Sequence, residues 1–217
     1  MGRFYANEVD NYGGNGRSSF FSLKDDGDVA RVRFMYNTAE DIVGYAVHEV
    51  VDSEGKKRCV NCLRSYNEPK SKCPLCAADN FQKAKLYIPL YDIDADEVKI
   101  WERGKTYFSE LSSTCARYSS ADSPLVAQVF EIERHGKKND PKTTYGTYPI
   151  GSPDDTRLED LPEIPEVLGK FVFDKTEEEI KEFLATGRFD STDGGRRESN
   201  EDEPIRRTPS RRRGESF

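Results

Sequence analysis

RCVNCLRSYNEPKSKCPLC, residues 58–76, carries four of the five cysteines of the chain. The pattern is Cys59-x2-Cys62, ten residues, then Cys73-x2-Cys76. Each CxxC can form a tight knuckle whose two thiolates converge, and the ten residues between can fold as a short hairpin. Four thiolates around one ion give the closed tetrahedral set of a structural zinc, with no open position for catalysis. Iron–sulfur ligation or disulfides are the alternatives to zinc. Four buried core thiols fit poorly, because Arg58, Asn61, Arg64, Ser65, Lys70 and Lys72 are polar. With no apolar core of its own, such a ribbon is expected to be folded by its metal. His48, in a strand-like run, reads as a surface or core residue rather than a further ligand. Cys115 falls on the apolar face of a helical pattern and reads as core.

Outward from this ribbon, at about 52–80, the chain has a β rhythm. VARVRFMY (29–36) alternates Val29, Arg31 and Arg33 with Ala30, Val32 and Phe34, the period-2 pattern of a half-buried strand. SFFSL (19–23), IVGYAVHEVV (42–51), AKLYIPLYDI (84–93), VKIW (98–101), VAQVFEIER (126–134) and TTYGTYPI (143–150) read as further strands. Apolar residues spaced three and four apart predict a helix over 104–117. Thr176 as N-cap, Glu179 in a capping box and Gly187 as stop predict a second over 177–186. Strands, a helix, then two more strands is the order of an OB-type barrel. The expected fold is therefore mainly β: an OB-like barrel at 18–190 with a zinc ribbon inserted, a short barrel helix and a C-terminal helix. Residues 1–17 read as a flexible arm, 151–175 as a Pro-rich surface segment, and 191–217 as a disordered tail.

Apolar residues make up 35% of the chain and charged residues 34%, with 12 Phe, 11 Tyr and one Trp. The net charge of −7 is localised: residues 154–182 hold 11 acids and 4 bases, which alone gives −7, so the remainder can still meet a polyanion. No apolar run is long enough for a membrane span, and the N-terminus has no signal-peptide core. Gly2 is a weak myristoylation hint, since Ala6 stands where Ser or Thr is wanted. A reducing cytoplasm is expected, where clustered cysteines favour metal.

No phosphate loop, nucleophile elbow or metalloprotease helix is present. Asp25–Asp26 and Asp92–Asp94–Asp96 read as turn residues rather than a catalytic metal site, and no enzyme or small-molecule substrate is expected. Basic residues do recur beside aromatics: Phe20, Phe21 and Lys24; Arg31, Arg33 and Tyr36; Trp101, Arg103, Lys105 and Tyr107; Arg134, Lys137, Lys138, Lys142 and Tyr145. Single-stranded nucleic acid uses this pairing, bases stacking on rings and cations following phosphates. The bland reading is that strand aromatics are core and strand bases are solvated.

GGNGRSSFFSLKDDGDVARVRFMY, LYIPLYD followed by VKIWERGKTYF, and VFEIERHGKKNDPKTTYGTYPI, together with a zinc ribbon between strands, resemble the single-stranded-DNA-binding, helix-destabilising proteins of tailed phages. The resemblance covers roughly residues 13–190. It implies an OB fold with one zinc held by Cys59, Cys62, Cys73 and Cys76, and a basic, aromatic cleft. It implies a protein that coats exposed strands in phage DNA replication, recombination and repair in the host bacterial cytoplasm. It also implies a C-terminal tail that recruits a polymerase, helicase or primase. The tail departs from the bacterial acidic Pro-Phe tip, ending RRRGESF. The competing expectations are a zinc-ribbon adaptor for replication or transcription partners and, behind it, an Asp-based nuclease or recombinase.

Overall fold

The computed structural model describes residues 20–138, 140–150 and 160–189. The arm at 1–17 and the tail at 191–217 lie outside them. Seven strands form one antiparallel sheet: β1 (Val29–Phe34), β2 (Val43–Val51), β3 (Lys57–Asn61), β4 (Gln82–Asp92), β5 (Glu97–Gly104), β6 (Phe130–His135) and β7 (Thr144–Pro149). The hydrogen-bonded order is β3-β2-β4-β1-β6-β7, with β5 paired to β4 off this path. Among the described residues three α-helices accompany them: α1 (Pro74–Ala77), α2 (Phe108–Tyr118) and α3 (Glu177–Thr186). Among the described residues no helix is long and apolar enough to cross a membrane.

β4 is the hub. Its residues 82–87 pair with β2, 90–92 with β1, and 85–92 with β5. Pro89 lies where the partner on one edge changes from β2 to β1. Its carbonyl accepts Met35 N–H on that edge, but proline has no N–H to return, so the ladder with β1 stops at Phe34–Leu90. The near-continuous apolar run LYIPLY reflects burial on both faces. One face carries Ile88 and Leu90 into a core with Val32, Phe34, Trp101, Phe130 and Ile132, capped by Leu111 and Cys115 of α2. Cys115 is thus core, as its helical spacing predicts. On the other face Tyr87 and Ile100 pack with Val47, Cys59 and Phe20 beneath Val167, Phe171 and Val172.

The sheet curls until Trp101 on β5 and Tyr145 on β7 meet, ring centroids 5.3 Å apart. Among the described residues no ladder joins those strands, so the sheet is open and the mainly β class is what the structure establishes. Three expectations need correction. Of the expected strand at 19–23, the described residues 20–23 are not a strand; Phe20 makes one isolated bridge to Ile100. In the expected surface segment, residues 160–166 are mostly exposed, but Val167, Phe171, Val172, Phe173 and Lys175 are buried. Phe173 N–H donates to the Cys59 carbonyl and the Phe173 carbonyl accepts Asn61 N–H, which ties residues 167–173 to β3. The cysteine region is not coreless either: Cys73, Leu75 and Cys76 pack with Val50, Val60, Phe173, Ile180 and Phe183.

Candidate metal centre and nucleic-acid interface

Three elements deliver four ligand atoms to one point. β2 supplies His48, the exit of β3 supplies Cys62, and the turn into α1 supplies Cys73 and Cys76. All four atoms lie within 4.8 Å of one another. His48 Nε2 is 3.4 Å from Cys73 Sγ and 3.6 Å from Cys76 Sγ, and Cys62 Sγ is 3.7 Å from Cys76 Sγ. Thiolates at ~2.3 Å and an imidazole nitrogen at ~2.1 Å from a tetrahedral ion are separated by about 3.8 Å (S to S) and about 3.6 Å (S to N). These three spacings match such edges and the whole group stays within 4.8 Å, so it could hold a metal ion.

Local chemistry explains the convergence. Cys73 is the N-cap of α1 and Pro74 its first residue, so Cys76 follows one turn on, on the same side. Ala77 N–H donates to the Cys73 carbonyl, and Asp79, at φ 58°, turns the chain out of the helix. Asn80 Oδ1 lies 3.2 Å from His48 Nδ1, and the amide is oriented by its own Nδ2 donating to the Glu49 carbonyl. Nδ1–H therefore points at Asn80 and the Nε2 lone pair points at the thiols, the outer-shell arrangement typical of ligating histidines. His48 and Cys73 are fully buried, Cys76 nearly so, and Cys62 half-buried. Burial pushes His48 below the usual imidazole range, keeping it neutral. Burial also raises the Cys62 and Cys76 thiols, the latter to about 12. At Cys73 burial is outweighed by backbone N–H donors from Cys76, Leu63 and Leu75, and the thiol is lowered. Three crowded sulfurs cannot all ionise unaided, and a divalent cation supplies the missing charge.

This corrects the ligand set read from the cysteine spacing. Cys59 is in mid-β3, opposite Glu49 in the register, while His48 is opposite Val60. Cys59 therefore points to the opposite sheet face, among Val47, Tyr87 and Phe171. Cys62, Cys73 and Cys76 stay in the group, and His48 takes the fourth place. Cys59 is carried by a strand and not by a knuckle, and residues three apart on a strand face opposite ways. Nothing in the sequence marks Asn80.

Folding divides the expected nucleic-acid residues. Phe20, Phe21, Arg33, Tyr36, Trp101 and Arg134 are all at most 9% exposed, and buried rings cannot stack on bases. Arg33 does share a face with Arg31, as the alternation predicts, but is covered, Nη1 donating to the Val126 carbonyl. Arg31 is exposed and ion-paired with Asp94 at 2.5 Å. Arg134 is a structural pin: it donates to the carbonyls of Leu23, Gly136 and Lys137, to Thr143 Oγ1 and to Tyr145 Oη. Those bonds hold the β6–β7 turn, where Gly136 at φ 129° is tight against Thr143. Lys137, Lys138 and Lys142 are exposed there, beside the turn bearing Lys24, whose Asp26 accepts Gly136 N–H at 2.7 Å.

One place keeps the basic–aromatic interleaving at the surface. The half-buried Arg103 guanidinium lies 4.0 Å from the Tyr145 ring centroid, 4.3 Å from Trp101 and 5.8 Å from Tyr107. Lys105 follows, exposed. The aspartates serve as turn and pairing residues: Asp92 pairs with Lys99 and Asp96 accepts Tyr91 Oη–H. Comparison with protein-family models, with curated proteins and with solved structures finds no match to this chain.

Proposed function

We propose that the chain is a non-enzymatic, sequence-tolerant single-stranded-DNA-binding protein. In this reading it coats exposed strands in DNA replication, recombination and repair, on an OB-like barrel braced by one structural zinc ion. The observation that carries the reading is the patch of Arg103, Lys105, Tyr107 and Tyr145, with the Tyr145 hydroxyl bonded to the buried Arg134 that pins the lysine-bearing β6–β7 turn. Guanidinium and phenol faces suit unpaired bases, and the lysines suit the phosphates beside them. Zinc is the ion this donor set favours: three sulfurs and one imidazole in a closed, buried tetrahedron. The resemblance of the sequence to phage helix-destabilising proteins supports the same reading, with single-stranded DNA as the main partner and replication proteins as further ones.

The single tryptophan, Trp101, sits under the patch and serves as the reporter. Quenching of its fluorescence by oligo-dT should saturate, exceed the effect of duplex, and weaken steeply with salt. Arg103→Ala should weaken binding several-fold and lower the salt slope by about one. Equal or absent response to both nucleic acids defeats the proposal.

A second reading is a zinc-dependent adaptor for replication or transcription proteins. The charge around the β6–β7 turn favours it: Lys24, Lys137, Lys138 and Lys142 are matched by Asp25, Asp26, Asp28 and Asp140. Binding of a purified polymerase or helicase by a chain that ignores oligo-dT would select this reading.

A further inference from the structure

Gln82 opens β4 and is the direct cross-strand partner of His48. Its side chain lies on the solvent edge of the metal centre, next to the half-buried Cys62. The amide oxygen is 3.3 Å from Cys62 Sγ and 4.0 Å from Cys76 Sγ. Sulfurs that ligate a metal are thiolates and only accept, so the same oxygen would then face two acceptors. A carboxamide turned by a half-turn about its last torsion swaps oxygen and nitrogen with almost no change in volume, and that torsion is soft. Turned, it presents two N–H groups toward Cys62 and Cys76.

We propose that Gln82 is a positioning residue of the metal centre: its amide N–H groups donate to the Cys62 and Cys76 thiolates, and the side chain closes the solvent edge of the site. The inference rests on the metal-binding reading of His48, Cys62, Cys73 and Cys76. Hydrogen bonds to a thiolate draw charge from sulfur, which stabilises its bond to the ion and slows attack by competing ligands. Asn80 does the equivalent for His48 on the buried side. Gln82 is the counterpart where water can reach.

Gln82 is exposed and its ladder bonds are backbone bonds, so side-chain changes leave the strand intact. The test loads the full-length protein, Gln82→Ala and Gln82→Glu with cobalt(II) and then challenges each with a chromophoric chelator. Glutamate keeps the size but has no N–H to give. The expected result is a shifted thiolate-to-cobalt charge-transfer band in both variants and metal transfer at least about tenfold faster, with Gln82→Glu the faster of the two, against the ~10–100-fold typical of outer-shell partners. Variants that match the wild type in band and rate overturn the role of Gln82 while leaving the metal centre standing. A wild type that takes up no cobalt overturns both.

Discussion

Residues three apart on a strand point to opposite faces, so Cys59 and Cys62 cannot both turn toward His48. Three of the four ligands were legible in the cysteine spacing. The fourth was not, because the usual CxxC knuckle is a turn and here the first pair straddles the end of β3. Two outcomes follow. His48→Ala should lose most bound metal, whereas Cys59→Ala should keep one ion per chain and cost only about 1–2 kcal/mol as a small cavity. Elemental analysis of purified variants decides it, and the reverse pattern would restore the all-cysteine set. The second concerns protons. Cys62 and Cys76 are raised by burial and hold protons at neutral pH, while His48 is lowered and holds none. Metal uptake near pH 7 should release at least about two protons, and apparent affinity should climb as pH rises. A weakly buffered titration with a pH indicator reads this directly.

Among the elements, those whose signals are local were the ones the sequence showed. Thr176 and Glu179 cap α3 reciprocally and Gly187, at φ 72°, ends it, as the capping pattern predicts. β1, β2 and β4–β7 follow their period-2 runs to within a few residues. β3 and the docking of residues 167–173 were hidden, since bonds such as Phe173 N–H to Cys59 O join positions more than a hundred residues apart. Charge pairing across strands was equally illegible. Lys85, nearly buried, bridges Glu49 and Glu102 at 2.5 and 2.6 Å, linking β2, β4 and β5. Lys85→Ala leaves two carboxylates facing each other and should cost ~3–5 kcal/mol in denaturant melts. Burial works to raise Glu49, but hydrogen bonds from Lys83 and Lys85 prevail and hold it at about 2. Its contribution is therefore complete above the ordinary carboxylate range and is lost as pH falls from about 4 toward 2. Lys85→Ala should flatten that part of the acid-unfolding profile.

At the scale of the molecule, three apolar clusters share one sheet, and only one of them contains metal ligands. Cys73 and Cys76 pack with Ile180 and Phe183 of α3, while Trp101 belongs to the cluster under α2. Stripping the metal should raise amide exchange in residues 62–79 and in α3 together. The tryptophan environment should barely change. Uniform loss of protection would mean that the sheet, too, depends on the ion. The mainly β reading holds, yet whether a sheet closes depends on backbone pairing that no hydrophobic pattern encodes. The flanking aromatics misled for a related reason: a curled sheet draws strand aromatics inward, and Phe21, Tyr36 and Trp101 became its core.

β1 has a temporal consequence. It pairs with β4 through Val32, Arg33 and Phe34, and with β6 through residues near 130–133, about a hundred positions later. As the chain leaves the ribosome, the β2–β3 and β4–β5 hairpins and the cysteine turn between them can form from near neighbours and capture an ion. β1, although made earlier, has to wait for β6 before it is enclosed. Loop closure over that distance is slow compared with hairpin formation. The metal lobe is thus set to mature first and act as the template on which the oldest strand is finally seated, with α3 arriving last to seal it.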